Sequence, residues 1–541
     1  MLSNFLKYLN KRLFYIWLLF FSFLTTLISP EPSVYYAIFI VFILYYLLYF
    51  FNEKIFKIFI WFVALTFSLY YPIKLHYGSL NSGIIAAFFE TNVSESLSFL
   101  KNIEIKDFIF PFLFILSAVI LVRLKKFNRK VVAEGKEKKH QFILHSILII
   151  TTVLGTCWAP TKFYFENNGK DELDNSWTLA NSPVNVISFY ANIYRSINEY
   201  YSEKKELEQA ASISPPWKVL SVSPKYKNYV LVIGESARRD YLSTYGFKLE
   251  TTPFLNSANG YINKGYISAA PGTYHSLLKS LYLKRKNEKT QKQDYSYNII
   301  TLAKSAGIET NWLSNQGSIG KYDTIASRLG VSADSHFFTK TGGFNTAETD
   351  DFELLDIFNK SLNNKSENTR LFVLHLMGSH QRFCDRLNKD EKKYTFINEK
   401  ISCYVNTILK TDRLIEKLVA RLKETNESYS LIYFSDHGLV HINKENIEEM
   451  SLDYDGEFKQ AYDVPFFKIS SDDTERKVVD VQRSAVNFIY GFSQWLGINT
   501  EELNNNYEFF SERNDENIEV FDFNKNVSYD SLKEDEIPQQ Q

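Results

Sequence analysis

Asn228-Tyr229-Val230-Leu231-Val232-Ile233-Gly234-Glu235-Ser236 changes character within one residue. The apolar and aromatic run Tyr229 to Ile233 is short and lacks polar alternation, so it predicts a strand buried on both faces. The run stops at Gly234, and the next side chain is a carboxylate, Glu235. Leu371 to Leu376 repeats the pattern and ends near Gly378-Ser379-His380, and residues 429–434 end in Ser435-Asp436-His437-Gly438. A further strand is expected over Val464 to Ile469, and one reaches Trp312 after a helix from Tyr297 to Ala306 closed by Gly307. Helices are expected over 405–423 and 480–496. Such alternation implies a mostly parallel sheet with helices on both faces, the α/β class.

In open α/β sheets, sites gather beyond the carboxyl ends of the strands. Glu235, His380, Asp436 and His437 all fall there, and four of the 9 histidines (His375, His380, His437 and His441) lie in two short strand-end clusters. Carboxylate oxygen and imidazole nitrogen suit a divalent cation such as Zn2+, and Glu235, Asp436 and His437 could supply three ligands. A hydroxyl in the fourth position would be activated as a nucleophile. Thr273 is the candidate, in the small-residue turn Ala269-Ala270-Pro271-Gly272-Thr273 that leads into a helical run from Leu277 to Leu283. Phosphate oxygens are favoured at a helix N-terminus. Taken singly, each element has a plainer reading: Thr273 as an N-cap, Asp436-His437-Gly438 as a turn, Glu235 as a surface acid.

The amino-terminal third reads differently. Apolar runs stand at roughly 13–29, 34–51, 55–72, 107–123 and 141–160, each near the ~20 residues that cross a bilayer. Lys7, Lys11 and Arg12 precede the first run, Lys54 and Lys57 follow the second, and eight Lys and Arg between Arg123 and Lys139 follow the fourth. Under alternating topology these share the cytoplasmic side. Five spans then export everything after Pro160, in a bacterium to the periplasm. The segment 74–106 carries Ile85, Phe88, Phe89, Val93, Leu97 and Leu100 at helical spacing, and 186–208 mixes aromatic residues with charges, so both suit interfacial amphipathic helices. The expected organisation is a transmembrane domain over 1–160, a linker with an interfacial helix over 161–215, an α/β catalytic domain over 216–500 and an acidic, Asn-rich mobile tail over 501–541.

Composition narrows the function classes. Lys+Arg 61 against Asp+Glu 62 leaves a net charge of -1, which gives nucleic acid no whole-chain attraction, so no nucleic-acid partner is expected. Three Cys exclude a disulfide-dense scaffold. Phe 45 and Tyr 35 raise the aromatic share to 16%, as spans and interfacial helices in contact with membrane lipids would.

The motifs in this order resemble the bacterial phosphoethanolamine transferases, membrane-anchored members of the alkaline phosphatase and sulfatase superfamily. The resemblance runs through Asn228 to Asp240, Tyr245-Gly246, Thr252-Pro253-Phe254, Asn298 to Gln316, Leu374-His375-Leu376-Met377-Gly378-Ser379-His380 and Ser435-Asp436-His437-Gly438. It implies five spans and a periplasmic sulfatase-like domain, with Glu235, Thr273, Asp436 and His437 on zinc (or Mn2+) and Thr273 as the nucleophile. It gives His380 a role at the transferred phosphate and makes Ser318 and Lys321 resemble a Ser-x-x-Lys pair that contacts phosphoethanolamine. Thr91 and Glu95 resemble donor-site residues, His375 and His441 become candidate substrate contacts, and Cys384 and Cys403 resemble one family disulfide. The family often has a further His ten to twenty residues past its SDHG motif; 442–541 contain none, and Ala87 stands where an Asn is expected.

The implied reaction takes phosphatidylethanolamine as donor and lipopolysaccharide, on lipid A or core, as acceptor, in a monomer. Other readings are a glycerophosphate transferase of lipoteichoic-acid-synthase type, a superfamily hydrolase, and a catalytically silent membrane receptor or assembly factor.

Overall fold

The computed structural model describes residues 2–28, 36–77, 80, 84–85, 89, 105–124, 136–167, 178–212, 214–285, 293–319, 324–342, 349–504, 506–523 and 525–538. Two compact units divide the chain, Met1–Ser202 and Glu203–Gln541.

The first unit is helical: α1 (Leu2–Ile28), α2 (Ala37–Phe51), α3 (Glu53–Tyr77), α4 (Ile109–Arg123), α5 (Lys136–Asn167) and the start of α6 (Asn185–Ser212). Its interior is aromatic, with the Phe21 and Phe114 rings stacked at 4.8 Å. The buried hydroxyls of Ser22 and Thr25 donate to carbonyls four residues back, which satisfies them without water. Phe142, Leu154, Trp158 and Phe165 on α5 point outward instead. By length and composition, two stretches are each able to cross a bilayer, Glu53–Leu75 and His140–Phe165. Leu13–Leu27 and Ala37–Phe51 are apolar but shorter, so among the described residues two of the five expected runs reach full spanning length. The amphipathic helix expected over 74–106 falls mostly outside the described residues, as do Thr91 and Glu95. A helix does cover 186–208, as α6.

The second unit is built on an eight-stranded sheet, order β11-β3-β10-β7-β2-β6-β4-β5. Its strands are β2 (Asn228–Gly234), β3 (Gly260–Ile267), β4 (Glu309–Ile319), β5 (Ser335–Gly342), β6 (Arg370–His375), β7 (Tyr429–Ser435), β10 (Phe466–Ser470) and β11 (Arg476–Ser484). Short strands complete the set: β1 (Val219–Val222), β8 (Val440–Ile442), β9 (Ser451–Asp453), β12 (Ile498–Thr500), β13 (Glu519–Phe521) and β14 (Asn526–Ser528). β10 is antiparallel to both β3 and β7, while the β2–β6, β2–β7, β4–β6, β4–β5 and β3–β11 pairs are parallel. β2 is central and wholly buried, as its sequence predicts. Tyr229, Leu231 and Ile233 join one core with α8 (Thr273–Leu281), α9 (Ile299–Ser305), α10 (Thr324–Ser332) and α13 (Phe488–Leu496). Val230 and Val232 join the opposite core with α11 (Glu353–Asn363) and α12 (Glu399–Glu424), close to the short α7 (Pro253–Ser257).

Two expectations are corrected. Residues 480–484 are not helical but finish β11, where Val479, Val481 and Arg483 are buried while Asp480 and Gln482 are exposed. That alternation has period two, and the helix begins only at Phe488. The segment 501–541 is not a loose tail in its described part: β13 pairs with β14, Phe521 N donates to Ala269 O at 3.0 Å, and Asp535 is fully buried.

Candidate active site

β2 lies between β7 and β6, so the residues just past their carboxyl ends meet. Glu235 follows β2, Asp436 and His437 follow β7, and all three are buried with ligand atoms within 4.8 Å of one another. The chain bends sharply beyond Glu235, with Ser236 in the left-handed region at φ 59°. The bend turns Ser236 N onto Asp436 Oδ1 at 3.1 Å and Ser236 Oγ onto Glu235 Oε1 at 2.6 Å. Gly378, at φ 45°, packs on the same backbone, where an added Cβ would meet Glu235 O at 2.9 Å and Glu235 N at 3.0 Å.

Thr273 is the first residue of α8, and its N-cap is Gly272. Its hydroxyl makes no capping bond; it donates to Glu235 Oε2 at 2.9 Å and lies 3.3 Å from His437 Nε2. The N-cap reading of Thr273 is thereby set aside. Ser276, one turn later, donates to Asp436 O at 2.6 Å, tying α8 to the β7 loop.

His437 Nδ1 faces Gly438 O at 2.8 Å and must carry a proton to donate there. Its Nε2 then points at acceptors, 3.1 Å from Glu235 Oε1 and 3.5 Å from Asp436 Oδ2. Lone pairs facing one another in a buried site require positive charge among them, a proton or a cation. The same demand appears in the ionisation. Burial alone would depress the His437 imidazolium, but Asp436 and Glu235 hold it up to about 9. Burial, with Glu235 beside it, pushes the Asp436 carboxyl up to about 8. Among the described residues Asp436 Oδ2 has no hydrogen-bond partner. Two carboxylates, one imidazole with a fixed tautomer and an adjacent hydroxyl are therefore a donor set that fits a zinc-sized ion.

His380 lies past β6, and burial pushes its imidazolium down to about 4. Its ring and that of His437 both approach Tyr454, with ring centres at 6.5 Å and 5.2 Å. The loop after His380 is stapled to α12 by a disulfide between Cys384 and Cys403. Ser318 is the penultimate residue of strand β4, half-buried, whereas Lys321 falls outside the described residues. His375 is corrected: it is fully buried in the sheet core, beside Ser314 Oγ at 3.2 Å and the Trp312 ring, with no surface for a substrate. His441 is corrected too, because Tyr241 OH engages Nε2 at 2.7 Å and Asp535 Oδ2 engages Nδ1 at 2.9 Å.

Sequence reasoning missed Gln316, whose amide donates to Glu235 Oε2 at 3.3 Å and to Leu376 O at 2.9 Å. It also missed Tyr454. Polar Ser314-Asn315-Gln316 at the end of an apolar strand was the available signal for the first; nothing local marks the second.

Comparison with known proteins defines the class first: residues 227–498 match the family described as Sulfatase. The chain is 35% identical over 481 residues to phosphoethanolamine transferase OpgE of Escherichia coli strain K12, covering 87% of this chain and 86% of that protein. It is 24% identical over 440 residues to phosphoethanolamine transferase EptC of the same strain, covering 76% and 73%. The integral membrane lipooligosaccharide phosphoethanolamine transferase A (EptA) of Neisseria meningitidis shares the fold with a TM-score of 0.51 at 17% identity, over 89% of this chain and 95% of that one. This chain belongs to the phosphoethanolamine transferases, within the sulfatase family.

Proposed function

We propose that this protein is an inner-membrane enzyme that moves phosphoethanolamine from phosphatidylethanolamine to lipopolysaccharide, on lipid A or core, through a covalent adduct on Thr273. The observation that carries the reading is Thr273 Oγ1 at the N-terminus of α8, 2.9 Å from Glu235 Oε2 and 3.3 Å from His437 Nε2. A partly buried hydroxyl between a carboxylate and an imidazole is set apart from an ordinary surface threonine. Glu235, Asp436 and His437 would hold the zinc (Mn2+ suits the same oxygen-rich set), with Thr273 as fourth ligand. The ion, when bound, lowers the pKa of a coordinated hydroxyl.

Thr273 attacks the phosphorus, diacylglycerol leaves, and an acceptor hydroxyl or phosphate then attacks the adduct. The backbone N–H groups of the first turn of α8 meet the charge on the phosphoryl oxygens. His380, kept neutral by burial, hydrogen-bonds the transferring group, and Ser318 and Lys321 hold the ethanolamine phosphate. Thr91 and Glu95 serve the donor. Five spans, with the catalytic unit in the periplasm and the chain acting as a monomer, bring the site to lipids that never leave the membrane.

The first experiment is mass spectrometry of lipopolysaccharide from parent and deletion cells. A phosphoethanolamine shift on lipid A or core in the parent alone supports the acceptor. Loss of the shift from another envelope glycan instead would move the acceptor there. A deletion that changes no envelope component favours the silent receptor.

A further inference from the structure

Both ligand-bearing loops run on into one ionic network that the C-terminal segment completes. Arg238 stands three residues beyond Glu235, and His441 stands four beyond His437. Both side chains are buried, and both converge on Asp535, itself fully buried. Arg238 Nη1 pairs with Asp535 Oδ2 at 2.5 Å, and Nη2 donates to Asp535 O at 2.8 Å. The same Oδ2 accepts from His441 N at 2.9 Å and meets His441 Nδ1 at 2.9 Å. Arg238 also donates to Leu439 O at 3.2 Å, so its guanidinium touches the β7 loop directly. Asp240 takes the other edge of that guanidinium at 2.9 and 2.6 Å, Tyr241 OH closes on His441 Nε2, and Lys444 pairs with Asp535 Oδ1.

We infer that Asp535 is a positioning residue for the metal ligands. The network is a strap across the two loops that carry the ligands. When both are ionised to take a cation, Glu235 and Asp436 are like charges in a buried site and repel each other. A fixed spacing between their loops therefore needs an opposing constraint, and Asp535 supplies it by gripping residue 238 of one loop and residue 441 of the other through the same oxygen. The inference rests on the reading that Glu235, Asp436 and His437 hold a metal ion.

The test measures the zinc dissociation constant of the full-length protein in detergent by chelator competition, with the Tm of the chelated protein alongside. Asp535→Asn is compared with Asp515→Asn. The latter breaks a largely buried pair, Arg483 with Asp515 at 2.5 Å, which anchors the same C-terminal segment to β11, a strand that carries no ligand. Both variants should lower Tm. Asp535→Asn alone should weaken zinc about tenfold to a hundredfold, the range for residues that orient metal ligands, with Asp515→Asn within twofold of the parent. Zinc affinity of Asp535→Asn within twofold of the parent overturns the inference, as does equal weakening by both variants. His437→Ala separates the two layers of the argument: if it binds zinc as tightly as the parent, the ligand assignment falls and takes this inference with it. Should Asp535→Asn fail to fold, His441→Gln, which loosens the same strap, is judged by the same tenfold and twofold limits.

Discussion

Gly378 shows how little room the metal loop has. An alanine there would adopt a positive φ, costing about 1–2 kcal/mol, and would press its Cβ onto the Glu235 backbone at 2.9 Å. Gly378→Ala should therefore cut kcat about tenfold or more while lowering Tm by only a few degrees, read by a lipid-transfer assay beside calorimetry. His375 makes a second prediction. Burial holds its imidazolium down to about 4 from the usual 6.5. The unfolded chain binds that proton below about pH 6.5 while the folded chain does not until about pH 4, so stability falls as pH drops through this window. The loss reaches roughly 3 kcal/mol for this side chain. His375→Gln should flatten the fall in Tm between pH 6.5 and 4 in chelator; an unchanged slope would contradict the assignment. At this scale Glu235, Asp436 and His437 were legible because each follows an apolar run, where a charge has no packing role, and Thr273 because it is a hydroxyl in a small-residue turn that opens a helical run. Gln316, Tyr454 and the left-handed Ser236 were not, because their neighbours come from distant segments and nothing local distinguishes them.

At the scale of elements, strand alternation exposed most of the sheet. β2, β6 and β7 are buried on both faces, and a run of apolar residues has no other use. β11 misled because its edge position leaves one face wet, and Val478, Val479 and Val481 resemble helical spacing when read with the real helix that follows. Residues 260–267 carry Asn263 and Lys264 within β3 and gave no clear run, though this strand leads to Thr273. The disulfide holds the loop past His380 to the second turn of α12 across a sequence separation of 19. Closing a loop of that size contributes about 3 kcal/mol. The double variant Cys384→Ala, Cys403→Ala should lower Tm by several degrees and raise amide exchange across 381–398 ahead of the sheet strands.

For the whole molecule, charge bias along the apolar runs gives a sidedness that a reporter can read. An alkaline phosphatase fusion after Asn167 should be active and one after Arg123 inactive; the reverse pattern would place the catalytic unit on the wrong side of the membrane. The C-terminal segment was the least legible region. Its acidic, Asn-rich composition reads as solvated chain, yet Asp535 finds a buried guanidinium 297 residues away, and one such pairing outweighs composition. The central claim is that Thr273 carries phosphoethanolamine between donor and acceptor, and it is tested most directly by intact-protein mass spectrometry. Full-length protein is incubated in phosphatidylethanolamine-containing micelles with zinc and no acceptor. The parent should gain the mass of one phosphoethanolamine group, mapped to the Thr273 peptide and lost on adding lipopolysaccharide, while Thr273→Ala gains none. A parent that releases diacylglycerol with no adduct, or a Thr273→Ala protein labelled to the same extent, would contradict the account.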